Sequence, residues 1–298
     1  MRWGRDVRLA ERVRWRIGGP ARRLGSAGSE TELADALREL VPAEHLTLGW
    51  GANLLVADRG VDPAVLVLED ELDWIRLGDA WIEAGAGAGL PSLVGEARRA
   101  GRGGWSFLEA VPGSVGGGLR MNAGSAETGL WDRVIWADAL TPDGDRVRVS
   151  RVEARTSYRR VELPESWVFV AARFDAVPGD LAEIEAEHQA RRRVKVETQV
   201  YDLPTCGSVW KSPGPPWGSA WELVERVGMR GARVGGAVIT EKHANFIANV
   251  AEATAEDVLA LMRETRRRVV EQTGARLEPE IRFWGFEAEE LRSVGVAP

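Results

Sequence analysis

The stretch Leu108-Glu109-Ala110-Val111-Pro112-Gly113-Ser114-Val115-Gly116-Gly117-Gly118-Leu119-Arg120-Met121-Asn122-Ala123-Gly124 decides the fold. Two glycine-rich turns flank a brief apolar piece, and the run closes on Asn-Ala-Gly. Glycine reaches φ > 0 and lets backbone approach a ligand with no Cβ in the way. Successive N–H groups in such turns form a concave anion nest. The stretch therefore reads as a phosphate cradle for a nucleotide, or else as a loop closing two sheets.

Moving outward, a short strand at 46–48 runs into a second glycine turn, Gly49-Trp50-Gly51-Ala52-Asn53-Leu54-Leu55-Val56. The dinucleotide fingerprint would need a third glycine where Leu54 stands. Gly85-Ala86-Gly87-Ala88-Gly89 fails the same test, with Leu90 or Ser92 in the glycine position. No lysine follows a glycine, since Lys211 follows Trp210. Rossmann and P-loop folds are thereby disfavoured.

The remaining pattern is mixed. The spacing predicts a strand over 14–20 ending in a turn, and a helix over 30–40 with Ser29 as cap and Glu32 three residues on. Further strands are expected at 65–68 and 81–84, then a helix from Pro91 to Ala100 stopped by Gly101. Pro142-Asp143-Gly144 joins a hairpin of 134–140 and 146–149. A strand at 167–174 precedes a helix over 181–194, acidic at its start and arginine-rich at its end. Beyond it lie a helix capped by Ser219 and Glu222, strands at 237–240 and 245–250, and a long helix from Thr254 to Gly274. A terminal strand is expected over 277–283.

Composition narrows the function. A length of 298 residues allows two or three domains, and 44% hydrophobic with 28% charged residues describes an ordinary soluble protein. A net charge of −6 argues against nucleic acid as partner. The single cysteine, Cys206, fits a reducing cytoplasm, and no apolar run approaches a membrane span or a signal-peptide core. The expected location is cytoplasmic, with no membrane partner. Against a strong bias toward Arg, Ala, Gly and Trp, the chain keeps only Lys195, Lys211 and Lys242 as lysines, Asn53, Asn122, Asn245 and Asn249 as asparagines, and Tyr158 and Tyr201 as tyrosines. A rare residue retained in a biased chain points to a position that needs its chemistry, although tight turns also favour asparagine.

Metal chemistry is set aside, because His45, His188 and His243 lack ligand-spaced partners. Gly113-Ser114-Val115-Gly116 is not a nucleophile elbow. Three polar residues at strand or turn edges remain: Arg159, Ser208 and Glu280. Each alone also reads as a surface cation, a turn hydroxyl and a solvated carboxylate respectively.

Taken in order, the motifs Arg16-Ile17-Gly18-Gly19-Pro20, Gly49-x-Gly51-x-Asn53-Leu54-Leu55, Val111-Pro112-Gly113-Ser114-Val115-Gly116-Gly117 and Met121-Asn122-Ala123-Gly124 are followed by Tyr158-Arg159 and Cys206-Gly207-Ser208-Val209. Glu241-Lys242-His243-Ala244-Asn245-Phe246 and Leu277-Glu278-Pro279-Glu280 complete the series. The chain closely resembles the UDP-N-acetylenolpyruvoylglucosamine reductases, flavoenzymes of peptidoglycan precursor and cell-wall synthesis, from about Arg14 to Phe283. The resemblance implies an α+β chain: a two-subdomain FAD-binding fold of the vanillyl-alcohol-oxidase/PCMH type plus a C-terminal α+β substrate domain. The expected boundaries are 1–70 and 71–200 for the FAD-binding subdomains, 201–275 for the substrate domain, and 276–298 for a strand and tail returning to the active site.

It implies, further, non-covalent FAD, NADPH as electron donor, a UDP-sugar substrate and a monomer. The cofactor is expected on Gly49, Gly51, Ala52, Asn53 and Leu54, and on Pro112, Gly113, Ser114, Gly116, Gly117, Asn122, Ala123 and Gly124. Arg159 and Glu280 match the residues flanking the reacting group, and Ser208 matches the proton donor. Substrate is expected on Tyr158, Tyr201 and Lys211, with Tyr201 standing in for the inserted tyrosine loop that the shorter type lacks. The chain departs from the family with Arg160-Val161-Glu162 after Tyr-Arg, Trp210 for Phe, Ser212 for Asn and Ala52 for Ser. Two other readings stand beside this one. A flavin oxidase of the same fold would carry a His or Cys tether by its glycine loop, and none lies beside Gly113–Gly124. A nucleotide-binding protein without chemistry would hold a flavin that NADPH fails to bleach.

Overall fold

The computed structural model describes residues 1–41, 43–125 and 127–296. The chain begins with β1 (Arg2–Arg8), β2 (Pro20–Ala27), α1 (Glu30–Leu40), β3 (His45–Leu48), β4 (Leu54–Val56), β5 (Ala64–Leu68), β6 (Ile75–Leu77) and β7 (Trp81–Gly85). Next come α2 (Leu90–Arg99), α3 (Val115–Met121), β8 (Val134–Leu140), β9 (Arg146–Val149), α4 (Arg151–Ala154), β10 (Val168–Asp175) and α5 (Leu181–Thr198). The remainder is β11 (Thr205–Ser208), α6 (Ala220–Arg226), β12 (Arg233–Val234), β13 (Ala237–Ile239), β14 (Phe246–Asn249), α7 (Ala255–Thr273), β15 (Arg282–Trp284) and α8 (Ala288–Ser293). These segments form two compact units, one of residues 1–5, 23–50 and 63–195, the other of residues 6–22, 51–62 and 196–298.

The first unit contains two sheets. One runs β1-β2-β5-β3, with β5 parallel to both β2 and β3. Parallel neighbours need a crossover, and α1 supplies one, burying Leu33, Leu37 and Leu40 beside Leu66 and Leu72. Ser29 caps α1, its Oγ accepting the Glu32 N–H at 3.2 Å. The other sheet, β6-β7-β10-β8-β9, is antiparallel throughout. The core beside it includes Leu90, Leu93, Val115, Leu119, Trp105 and Trp131. Across β7, β10, β8 and β9 runs a ladder of tryptophan and arginine: Arg173 lies over Trp81 and Trp136, and Arg148 stacks 3.9 Å from the Trp136 ring centre. Asp138 anchors it, accepting from Arg148 Nε at 2.7 Å and from Arg146 Nε at 3.2 Å. Burial pushes its carboxyl up, but the two guanidiniums outweigh that and hold it below the usual range.

The second unit is built on the antiparallel sheet β11-β14-β13-β12, with Leu223 and Val224 of α6 and Val258, Leu261, Met262 and Val269 of α7 in its core. A separate two-stranded ribbon pairs β15 parallel to β4, with Phe283 opposite Leu55.

Several expectations change. Residues 14–19 form no strand; Arg16 at φ 56° and Gly18 at φ 137° break the extended path, and the strand begins at Pro20. Trp15 fixes this segment instead, its Nε1–H donating to the Ile247 carbonyl at 2.9 Å. The apolar piece of the opening stretch is a helix, α3, capped by the Ser114 hydroxyl. The terminal strand is shorter and later than 277–283, because Pro279 sits in a single bridge with Trp210 before β15 begins. Strands β1, β4, β6, β11 and β12 and helices α4 and α8 have no counterpart in the sequence reading.

Candidate functional site

In the first unit the glycine turns converge on Ser114. The Leu90 N–H donates to the Gly113 carbonyl at 2.8 Å, and the Val115 N–H to the Ala88 carbonyl at 2.7 Å, which locks Gly89 opposite Ser114. A Cβ on Gly49 would collide with the Ser114 hydroxyl, and one on Gly89 would lie 2.6 Å from the Trp50 indole. Gly113, at φ 132°, holds a conformation that side chains oppose. Gly49 and Gly89 thus let the Ser114 hydroxyl and the half-exposed Trp50 indole lie directly against backbone. A diphosphate bound in such turns takes backbone N–H donors.

The helix amides themselves are already committed. The Gly116 N–H donates to the Ala86 carbonyl at 2.9 Å, and the Gly117 N–H to Ser114 Oγ at 3.2 Å. Gly116 also faces Ala86, whose Cβ and carbonyl oxygen would meet an added Cβ at 3.1 and 3.2 Å. Its glycine therefore serves packing against the Ala86 strand end. The Ala123 N–H closes α3 on the Gly118 carbonyl at 2.8 Å, and Gly124 bridges Gly129.

Asn122 terminates α3 in the left-handed region at φ 43° and is only 9% exposed. Its Oδ1 accepts the Trp131 N–H at 3.1 Å, and its Nδ2 donates to the Ser157 carbonyl at 3.0 Å. Ser157 opens the turn that carries Tyr158 and Arg159. That turn is closed by reciprocal bonds, Ser157 N–H to Arg160 carbonyl at 3.0 Å and Arg160 N–H to Ser157 carbonyl at 3.1 Å. Arg159 sits at φ 56°, its guanidinium 5.1 Å from the Tyr158 ring centre.

A buried cluster that the sequence reading left out lies in the same unit. His188 Nδ1 and Glu109 Oε2 are 2.7 Å apart, and Lys195 Nζ donates to the Glu109 carbonyl at 2.7 Å. Burial lowers the Lys195 ammonium to about 8; Glu109 opposes the shift, while Arg159 and Arg191 add to it. The rarity of lysine in the chain and the place of Glu109 in the opening stretch were the only signals for it.

The second unit holds the other expected residues. Gly51, at φ 56°, accepts the Arg14 N–H on its carbonyl at 3.1 Å. Asn53 Nδ2 donates to the Glu280 carbonyl at 3.0 Å, and the Asn53 carbonyl accepts the Arg282 N–H at 2.9 Å. The Glu280 N–H donates to the Val209 carbonyl at 2.8 Å, which sets Glu280 next to the chain leaving Ser208. Asn245 clamps the same segment: its carbonyl accepts the Val209 N–H, its Oδ1 accepts the Trp210 N–H at 2.9 Å, and its Nδ2 donates to the Trp210 carbonyl at 2.8 Å. Leu54, in β4, accepts from the buried Cys206 thiol on its carbonyl at 3.3 Å, and burial pushes that thiol up to about 12. Lys211 lies 3.8 Å from Glu278, and the Tyr201 hydroxyl donates to Gln199 at 3.1 Å. Asn53, Ser208 and Glu280 are brought together here, whereas Arg159 and Tyr158 stand in the first unit with the Ser114 cradle. Among the described residues no group of His, Cys, Asp and Glu could hold a metal ion, and no helix is long and apolar enough to cross a membrane.

Residues 23–150 match the family described as FAD binding domain, and residues 199–284 match the C-terminal domain of UDP-N-acetylenolpyruvoylglucosamine reductase. A UDP-N-acetylenolpyruvoylglucosamine reductase of Symbiobacterium thermophilum is 41% identical over 91% of this chain and 88% of its own. One from Paramagnetospirillum magneticum is 38% identical over 95% of this chain and 92% of its own. The crystal structure of the Thermus caldophilus reductase superposes with a TM-score of 0.83 at 33% identity, over 95% of this chain and 99% of that one.

Proposed function

The chain belongs to the UDP-N-acetylenolpyruvoylglucosamine reductase family, and from that premise we infer that it reduces the enolpyruvyl group of a UDP-sugar in peptidoglycan precursor synthesis. It is an FAD oxidoreductase with an FAD-binding fold followed by the family's C-terminal domain. Bound FAD, once reduced by the nicotinamide donor, would supply the hydride for the terminal carbon of the double bond. We propose that NADPH is the donor, that the flavin is held non-covalently, and that the protein acts as a cytoplasmic monomer. Within it, residues 1–70 and 71–200 would serve as the FAD-binding subdomains, 201–275 as the substrate domain, and 276–298 as the segment carrying Glu280.

The observation that carries the residue assignment is Asn53, which ties the glycine turn expected at the cofactor to Glu280 and hence to the segment of Ser208. On this reading the diphosphate would be held by the backbone of Gly49 and of Gly113–Ser114. Addition of hydride builds negative charge on the adjacent carbon and the carboxylate, and preorganised donors and cations are the largest source of relief for such charge. Arg159 would supply the cation and Glu280 a flanking carboxyl, while Ser208 would deliver the proton from its Oγ to the adjacent carbon. A serine hydroxyl is a weak acid, so it transfers only to a strongly basic carbon. Tyr158, Tyr201 and Lys211 would contact the UDP-sugar.

The test is a flavin spectrum taken in two steps without oxygen. The purified protein should be yellow, be bleached by NADPH, and regain its colour on adding the UDP-sugar enolpyruvate. Acid precipitation should leave the flavin in the supernatant. Colour kept in the pellet would refute non-covalent binding, and a flavin that NADPH bleaches but the UDP-sugar cannot restore would refute the substrate.

A further inference from the structure

We propose that Asn122 is a positioning residue for Arg159: its carboxamide holds the Arg159 turn to the end of α3 rather than contacting the cofactor. Both ends of that carboxamide are committed inside the first unit, Oδ1 to the Trp131 N–H and Nδ2 to the Ser157 carbonyl. The Trp131 bond is a fixed reference, because the Trp131 indole is itself buried and donates to the Leu119 carbonyl of α3 at 2.8 Å. The Ser157 bond transmits that reference to the turn. Ser157 and Arg160 bond each other reciprocally, so a shift of the Ser157 carbonyl carries Arg159 with it. Gly129 belongs to the same device, since a Cβ there would lie 2.6 Å from Asn122 Nδ2 and displace the carboxamide. Asparagine suits the post for two reasons: it tolerates the left-handed conformation, and it presents a donor and an acceptor at once.

The inference rests on the reading that Arg159 faces the charge that develops on the substrate, so its test runs Arg159→Ala alongside. Asn122→Asp keeps the acceptor for Trp131 and removes the donor to Ser157. Gly129→Ala moves the carboxamide without altering it, and serves if the first variant fails to fold. Both holoproteins should keep wild-type FAD content and be bleached by NADPH at the wild-type rate, while Asn122→Asp melts lower because its carboxylate faces the Ser157 carbonyl. Reoxidation by the UDP-sugar enolpyruvate should slow by about 10-fold to 10²-fold with a raised KM, the range set by roughly 1 Å misplacements of a catalytic group. Loss of FAD, or a lowered midpoint with normal reoxidation of the remaining flavin, overturns the proposal in favour of a cofactor or purely structural role. Slow Arg159→Ala with normal Asn122→Asp and Gly129→Ala overturns the link alone. Normal Arg159→Ala overturns the reading of Arg159 and the link with it.

Discussion

Arg159 and the pair Ser208–Glu280 are held by contrasting devices. Arg159 rides on a four-residue turn closed by two backbone bonds, and the Ser157 carbonyl of that turn accepts from the Asn122 carboxamide. Ser208 and Glu280 flank a segment clamped on both sides, by Asn245 on one and by Glu280 N–H to Val209 with Asn53 to Glu280 on the other. The tightly clamped pair is the one assigned to proton delivery, where placement by a fraction of an ångström matters. Arg159 is assigned instead to the charge that develops on the substrate carboxylate, and its placement follows the turn that carries it.

The harshest way to break this contrast is Ser208→Ala. With the clamp intact and only the hydroxyl removed, NADPH should still bleach the flavin. Reoxidation by substrate should fall by about 10²–10⁴-fold, the usual loss for a positioned proton donor. Stopped-flow absorbance of each half-reaction checks it, and equal slowing of both would mean that the proton comes from elsewhere. Asn245→Ala attacks the clamp itself. It leaves the buried Trp210 N–H and carbonyl without partners, so the second unit should lose about 2–4 kcal/mol in a urea titration. A loss well below 1 kcal/mol would show that the clamp is not what holds Ser208 in place.

The mildest probe belongs to the Arg159 side. Burial brings Lys195 down to about 8 in the fold against 10.5 for a free lysine side chain, so between those values the unfolded chain binds more protons than the folded one. Stability then rises with pH across that window. Compared with Lys195→Met, the wild type should gain in thermal midpoint as pH climbs from 8 toward 10.5. Parallel curves for the two proteins would show that Lys195 ionises normally.

The sequence made much of this legible where one pattern dominates. Helices α1 and α7 announce themselves by apolar spacing and by Ser29 and Thr254 caps, and the hairpin β8–β9 by Pro-Asp-Gly. Helix α3 stayed hidden because three consecutive glycines oppose helix formation; only its caps, Ser114 and a left-handed Asn122, betray it, and both look like turn residues. The false strand at 14–19 arose from alternating Arg, Trp and Ile, whose side chains are placed by a long-range bond from Trp15 to Ile247 that no local pattern encodes. The same limit applies to the site. Arg159, Ser208 and Glu280 were picked out by family resemblance, whereas the ties that orient them, Asn122 to Ser157 and Asn53 to Glu280, span long stretches of chain.

The buried Cys206 thiol turns the second unit into its own clock. It stands two residues before Ser208, donates to the Leu54 carbonyl, and is held protonated well above neutral pH. A thiol reagent reacts with the thiolate and needs access, so labelling waits for the fold around it to open. At saturating reagent, where labelling outpaces reclosing, the rate reports how often that opening occurs, without any introduced probe. Because the chain contains no second cysteine, the signal has a single address. Labelling followed with and without the UDP-sugar would therefore time the breathing of the segment that carries Ser208 in the unaltered protein.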